Sequence, residues 1–223
     1  MTPAAGQSAA GANPASTLAG GRRPPEPESL RRRRAVALSG FEGAESAARH
    51  GLSDPSAGVR CAALTALARQ GRLEAADLLA ALADPDAAVR ARAAEATAGC
   101  GDADLAEALA GALGDSEAPV VEAAAWACGE HPAPTPDAVS RLCEIVRSHP
   151  DPQCRETAVA ALGAIGHEAG LAAVLAATED RATVRRRATL ALAAFSGPEV
   201  EEALERAAGD RDWQVRQAAE DLR

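Results

Sequence analysis

The sequence predicts an all-α fold, a right-handed superhelix (an α-solenoid) of about six two-helix repeats preceded by an N-terminal half repeat. Three observations support this prediction. Alanine dominates the apolar half of the chain while aromatic residues make up only 2%, and Ala combines the best helix propensity with little bulk. β-branched residues are too few for an extensive sheet. A repeat of about 31 residues runs along the chain, and two-helix units bury their apolar faces by stacking on one another.

The repeat becomes visible without gaps when residues 52–67 are placed over residues 82–97, and the same frame recurs four more times. One position of the frame is Val59, Val89, Val120, Cys154, Val184 and Val215. The next position is Arg60, Arg90, Val121, Arg155, Arg185 and Arg216. A third position is alanine in every copy: Ala63, Ala93, Ala124, Ala158, Ala188 and Ala219. We expect this alanine where neighbouring helices come closest. A truncated copy fits upstream with Leu30-Arg31 in the Val-Arg place and Leu38 closing the turn.

Local signals predict where the second helix of each unit begins and ends. Asp54-Pro55 and Asp84-Pro85 place a capping carboxylate before a proline, which suits the first helical position. Glycine in the left-handed conformation commonly terminates helices, so we expect helix ends at Gly71, Gly101 and Gly166. Residues 1–26 are rich in Ala, Gly, Pro and Ser, have no periodic apolar pattern and are predicted to be a disordered tail. The solenoid is predicted over residues 27–223.

The recurring frame Asp-Pro-x-x-x-Val-Arg-x-x-Ala-x-x-Ala-Leu resembles the short bacterial HEAT repeats, including those of the phycobilin-lyase type, over residues 27–223. This resemblance implies a curved α-solenoid whose second helices line the concave face. It also implies a ladder in which the recurring Asp and Arg join neighbouring units. Val121 should interrupt that ladder. The 34-residue step from Val120 to Cys154 carries three prolines and predicts a bend or a protruding loop.

Charge and composition narrow the possible functions. The net charge of −9 argues against a general nucleic-acid binder, which needs a basic face. The arginine runs 31–34 and 185–187 keep nucleic-acid binding as a lesser alternative. The N-terminus lacks the pattern of a signal peptide, and no stretch is long and apolar enough to span a membrane. Five scattered cysteines fit a reducing compartment, so we expect a cytoplasmic protein without membrane contacts.

A function related to an enzyme is the first alternative, ahead of nucleic-acid binding, because some HEAT-repeat proteins are enzymes. Deoxyhypusine hydroxylase holds a di-iron centre with His-Glu pairs on successive helices; here Arg155-Glu156 stands at such a place, and the pair His167-Glu168 falls in a turn. The remaining candidates for a metal site are His131, His149 and His167 with Cys128 and Cys143. Their spacing is not typical of zinc ligands. We therefore expect no catalytic residue, no metal site and no cofactor. The alternative is an accessory subunit or relative of a phycobilin lyase or a hydroxylase.

Two positions on the second helices vary from copy to copy while the core positions do not, as a partner-specific surface would. They share one face because they lie four residues apart. From them we predict these partner-binding residues: Glu95, Glu122, Trp126, Glu156 and Arg186. Trp126 is the strongest candidate, since Trp is enriched in interface hot spots; its alternative role is packing against the proline-rich segment 130–136. The three glutamates form an acidic strip. The predicted function is a non-catalytic scaffold that binds a protein or peptide partner with a basic patch.

Overall fold

The computed structural model describes residues 27–222. All regular structure in this part of the chain is helical, and two short 3-10 turns, Glu168–Gly170 and Leu192–Ala194, accompany the α-helices. The α-helices are α1 Glu28–Glu42, α2 Glu45–Gly51, α3 Ala57–Gln70, α4 Ala75–Leu82, α5 Ala87–Thr97, α6 Ala103–Ala112, α7 Ala118–Glu130, α8 Pro136–Ser148, α9 Pro152–Ile165, α10 Leu171–Ala177, α11 Ala182–Ala191, α12 Pro198–Ala208 and α13 Trp213–Glu220. None of them is both long and apolar enough to cross a bilayer. The predicted tail, residues 1–26, lies outside the described residues.

The helices form six consecutive pairs, from α2–α3 to α12–α13, and α1 stands before them as a half repeat. Each second helix packs on the second helices before and after it, from α1 against α3 to α11 against α13. Packing along this row is more extensive than along the row of first helices. The array therefore curves towards the second helices, which line its concave surface. The predicted α-solenoid is confirmed.

Small residues set the distance between neighbouring second helices. The invariant alanines are fully buried, each with 0% exposure: Ala63, Ala93, Ala124, Ala158, Ala188 and Ala219. Glycines allow equally close contact further along the helices. A Cβ on Gly129 would lie 2.9 Å from the Cα of Ala161, and a Cβ on Gly163 would lie 2.7 Å from the Cβ of Ala191. These contacts fix the spacing of every side chain presented on the concave surface.

The predicted starts of the second helices at the first Asp-Pro pairs are wrong by two residues. Helix α3 begins at Ala57, not at Pro55. The Asp54 carboxylate instead accepts the backbone N–H of Ser56 at 2.8 Å and binds the guanidinium of Arg32. This carboxylate therefore shapes the turn and joins two units, which is a tertiary role that a local capping pattern does not reveal.

Two of the three glycines predicted to end a helix do so, and one further Asp-Pro pair opens a helix. An Asp-Pro pair that was not among the predicted starts, at 151–152, does cap and open α9. Gly71 and Gly166 terminate α3 and α9 in the left-handed conformation, with φ of 63° and 65°. The prediction for Gly101 is wrong, because Gly99, with φ of 78°, takes the left-handed conformation after α5.

The half repeat is shifted by one residue from its predicted frame. Arg32, not Arg31, donates its Nε–H to Asp54 at 2.8 Å. Leu30 and Leu38 were assigned to inward positions but are 43% and 48% exposed. Four successive arginines allow several alignments of the Val-Arg step, so the sequence alone did not fix the register of α1.

The prediction for the long step between the third and fourth units was a bend or a protruding loop; of these, the loop is not observed, because the extra residues lengthen a helix. Helix α8 has 13 residues, compared with 8 in α4 and 10 in α6. The connection before it, residues 131–135, is as long as the connection 98–102 between α5 and α6. Thr135 caps α8, and the prolines around it fit the start of that helix.

Candidate functional site

A hollow of about 730 Å³ on the concave surface crosses four successive second helices, α3, α5, α7 and α9. Its lining residues are Leu64, Thr65, Ala68, Ala91, Arg92, Glu95, Ala96, Pro119, Glu122, Ala123, Trp126 and Thr157. Four of them are alanines, so the helix backbones lie close to the surface and leave space above them. The volume falls in the range of about 300–1,000 Å³ that is typical of ligand sites.

Trp126 is the largest side chain in the hollow and is 46% exposed. It projects from α7 beside the fully buried Ala125 and Ala127. No residue of the connection 131–135 lines the hollow, so the indole faces a space shared with three other helices. An exposed indole of this kind offers a large apolar surface that a bound segment could cover.

Two carboxylates of the predicted acidic strip are already paired. Glu95 accepts a hydrogen bond from Arg92 at 2.5 Å. Glu156 lies 3.5 Å from Arg187 and does not line the hollow. No pairing with the strip was predicted for these two arginines, which follow the variable positions by one residue on α5 and α11. The strip is therefore less acidic than its three glutamates alone suggest.

Glu122 is the carboxylate of the strip that has no ion pair among residues 27–222. Its Oε1 accepts a hydrogen bond from the neutral amide of Gln153 at 3.2 Å. Glu122 and Trp126 lie four residues apart on α7 and share one face. A carboxylate and an indole side by side are complementary to a cationic side chain, through an ion pair and a cation–π contact.

Arg186, the fifth predicted residue, lies away from this hollow. It borders a smaller hollow of about 90 Å³ between α11 and α13, with Trp213 and Asp221. The other residues there are Leu190, Gln214, Gln217 and Ala218. Trp213 is 65% exposed. The repeat pattern gave no signal for Trp213. This residue lies two positions before the recurring Val-Arg step, at a position where the other copies have alanine or proline.

The recurring arginines form the implied ladder. In each rung, Nε and Nη2 donate to both carboxylate oxygens of an aspartate in the next unit, at 2.6–3.2 Å. The rungs are Arg32–Asp54, Arg60–Asp84, Arg90–Asp115, Arg155–Asp180 and Arg185–Asp210. From Arg60 onward, Nη1 also donates to a backbone carbonyl of the arginine's own unit. These arginines therefore act as structural links between units.

The ladder is interrupted between α7 and α9, as predicted from Val121. Val121 is 1% exposed and packs in the core. The next unit carries His149 where the other units have the aspartate. The His149 Nδ1 accepts the backbone N–H of Asp151 at 3.1 Å and so preserves the turn. Because both charged partners are absent from this rung, the gap leaves no arginine or aspartate of the rung without its counterpart.

The ladder makes the stability of the fold depend on pH in the acidic range. Hydrogen bonds from their arginine partners lower the pKa of the carboxyl groups in four rungs: Asp54, Asp115, Asp180 and Asp210. An aspartate whose pKa is lower in the folded chain than its unfolded value of about 3.9 stabilises the fold above that value. This contribution is lost as the pH falls through the folded pKa.

We expect the melting temperature to fall as the pH is lowered from about 5 to about 3. Replacing Asp180 with asparagine should lower stability at neutral pH and flatten this dependence. Asp137→Asn is the matched control, because Asp137 pairs with Arg141 at 2.7 Å on the exposed surface of α8, where ion pairs contribute little. Equal pH slopes for the wild-type protein and Asp180→Asn would show that the ladder does not control acid stability.

The arginine runs that suggested nucleic-acid binding do not form a continuous basic track. Ion pairs occupy two arginines of the run 31–34 and two of the run 185–187. Within these two runs, the arginines without an ion pair among residues 27–222 are Arg33 and Arg34 on α1 and Arg186 on α11. The two runs lie near opposite ends of the array.

The histidines and cysteines considered for a metal site are dispersed. His167 and Cys143 border a hollow of about 260 Å³ next to α8, whereas His131, His149 and Cys128 do not line it. Burial raises the pKa of Cys128 to about 12, which keeps this thiol protonated. Over residues 27–222, no group of three or more His, Cys, Asp or Glu side chains is placed to hold a metal ion.

The repeat geometry agrees with a match to a family of known proteins. The model of the family described as HEAT repeats matches residues 75–148 and 139–222, which together cover more than half of the chain. The chain belongs to the HEAT repeat family. The matched HEAT repeats extend from α4 to α13 and include the ladder gap and most of the large hollow. Comparison with curated proteins gives no match.

Solved structures share the fold of this HEAT repeat chain. A designed armadillo repeat protein has a TM-score of 0.56 and 18% identity, over 78% of this chain and 96% of its own. The Escherichia coli protein YibA has a TM-score of 0.58 and 16% identity, over 89% of this chain and 75% of its own. Another designed armadillo repeat protein, solved in complex with the peptide (KR)4, has a TM-score of 0.54 and 17% identity, over 88% of this chain and 98% of its own. At these identities the likeness concerns the fold alone.

Proposed function

We propose that this HEAT repeat chain is a non-catalytic scaffold that binds a protein or peptide partner on its concave surface. The observation that carries this proposal is the half-exposed Trp126 beside Glu122 in the hollow of about 730 Å³. Trp is enriched among the residues that dominate binding energy at interfaces. No histidine or cysteine lines the hollow. The polar side chains that do line it are suited to orienting a bound ligand through hydrogen bonds and charge.

The shape of the hollow favours an extended segment as the partner. The hollow crosses four parallel rows of side chains, and stacked repeats offer long concave surfaces of this kind. The designed armadillo repeat protein with the peptide (KR)4 is an example of a repeat protein of similar fold in complex with a peptide. It supports a peptide or a protein segment as the partner of this chain.

The charge of the hollow favours a basic partner. Glu122 has no ion pair among the described residues, whereas Arg92 already neutralises Glu95. A lysine or arginine of the partner would find a carboxylate and an indole together at Glu122 and Trp126. Complementary charge of this kind increases association rates and selects partners.

Charge reversal at Glu122 tests this proposal. With a peptide of alternating lysine and arginine as the probe, Glu122→Arg should slow association several-fold and weaken its dependence on salt. Glu156→Arg is the matched control, since Glu156 is already paired with Arg187 and lies outside the hollow. It should have the smaller effect. If both variants bind the probe like the wild-type protein, with the same salt dependence, the concave carboxylates do not recognise the partner.

A further inference from the structure

The concave surface carries two exposed tryptophans, each beside a charged side chain that has no ion pair among residues 27–222. Trp126 stands next to Glu122, and Trp213 shares the smaller hollow with Arg186. The side chains of Glu122 and Arg186 are opposite in charge, and Asp221 also borders the smaller hollow. Two other carboxylates of the same surface, Glu95 and Glu156, are paired with arginines.

Arg186 is available for a ligand, whereas its two neighbours are not. Arg185 is committed to Asp210 in the ladder, and Arg187 lies 3.5 Å from Glu156. Arg186 has no ion pair among residues 27–222. The nearby Asp221 accepts a hydrogen bond from Gln217 Nε2 at 2.8 Å, and no ion pair joins Asp221 to Arg186 among the described residues. A guanidinium beside an exposed indole can bind a carboxylate while apolar atoms cover the ring.

The two places are separated by a distance that a short peptide can span. Trp126 lies on α7, and the Arg186 hollow lies between α11 and α13, two to three second helices further along. Packed helices are about 8–10 Å apart, which gives a separation of about 20–25 Å. An extended chain covers about 3.3–3.6 Å per residue, so this separation corresponds to six or seven residues, roughly.

We infer that the concave surface binds an extended peptide segment of bipolar charge, with a lysine or arginine at Trp126 and Glu122 and an aspartate or glutamate at Arg186. The two charged residues of the ligand are about seven positions apart. This inference rests on the proposed function and adds the spacing and the sign of the second contact. A purely basic partner would leave Arg186 facing a like charge, which disfavours it.

A set of synthetic peptides tests the spacing. Each peptide has blocked termini, a neutral Gly/Ser backbone, one arginine and one glutamate, placed three, seven or eleven positions apart in both orders. Binding is measured by fluorescence anisotropy of a labelled peptide. In at least one order, the seven-position peptide should bind roughly fivefold tighter than the others, because it engages both places at once. Arg186→Gln should remove this advantage without changing the melting temperature. Arg186→Glu should transfer the preference to a peptide with arginine at both positions.

The outcomes separate this inference from the proposed function. If Trp126→Ala weakens all peptides but spacing has no effect, the scaffold function stands and the bipolar inference is wrong. If Trp126→Ala and Arg186→Gln both leave every peptide unaffected, both are wrong. Self-association of the protein that is lost in Trp126→Ala, with no peptide bound, would assign the surface to a second copy and overturn the inference.

Discussion

Replacing Trp126 with alanine is expected to weaken partner binding by about 2 kcal/mol, or about 30-fold in the dissociation constant. The indole is 46% exposed in the unbound chain, and a bound segment that covers it gains apolar burial that alanine cannot provide. Since the ring is only half buried, its removal should change the melting temperature little. Binding by calorimetry and melting by circular dichroism are measured on the same preparation.

Phe41→Ala is the matched control for this variant. Phe41 is also an exposed aromatic residue, at 73%, but it lies on α1 and contacts the guanidinium of Arg69. Its removal should leave binding unchanged. If Trp126→Ala instead unfolds the chain, or if it binds the partner as well as Phe41→Ala does, Trp126 is not the anchor of the site.

Replacing Gly163 with alanine should lower the free energy of unfolding by about 1–3 kcal/mol, the scale of overpacking in a tight core. The new Cβ would lie 2.7 Å from the Cβ and 2.9 Å from the Cα of Ala191 on the next second helix. The Cα belongs to the backbone, so the contact is relieved only if α9 and α11 move apart. The midpoint of urea unfolding measures the change.

Gly111→Ala provides a control with the opposite expected sign. Gly111 also lies within a helix, α6, but a Cβ there would meet nothing within 4 Å. Alanine should therefore raise the stability by about 0.5–1 kcal/mol through its higher helix propensity. Equal effects of the two substitutions would mean that close contact at Gly163 does not determine the helix spacing.

The fold could be predicted from the sequence because each repeat gives the same information again. Six copies of one alanine position identify the tight crossings, and the structure buries all of them completely. The predictions that failed concern local features, such as helix starts, that contacts between units decide. The turn carboxylate Asp54 was assigned to a helix cap, although it binds Arg32 of the preceding unit. A capping motif describes local bonds, whereas this bond joins residues 22 positions apart.

The candidate site was predicted in part. Glu95, Glu122 and Trp126 do line one hollow, because positions four residues apart on successive second helices face the same side. The charge of that surface was harder to predict. Arg92 and Arg187 neutralise two of the glutamates. The pair Arg92–Glu95 follows from an i, i+3 spacing on one helix, whereas the pair Arg187–Glu156 depends on how α9 and α11 pack.

The central claim is that the concave surface binds the partner, and site-specific photocrosslinking tests it most directly. A photoreactive amino acid is placed at Thr65, inside the hollow, or at Glu107, an exposed position on the first helix α6. Each protein is irradiated in an extract of the native host. We expect a discrete crosslinked partner from position 65, lost when Trp126→Ala is added, and no such product from position 107. A partner crosslinked from position 107 but not from position 65, and unaffected by Trp126→Ala, would contradict the claim.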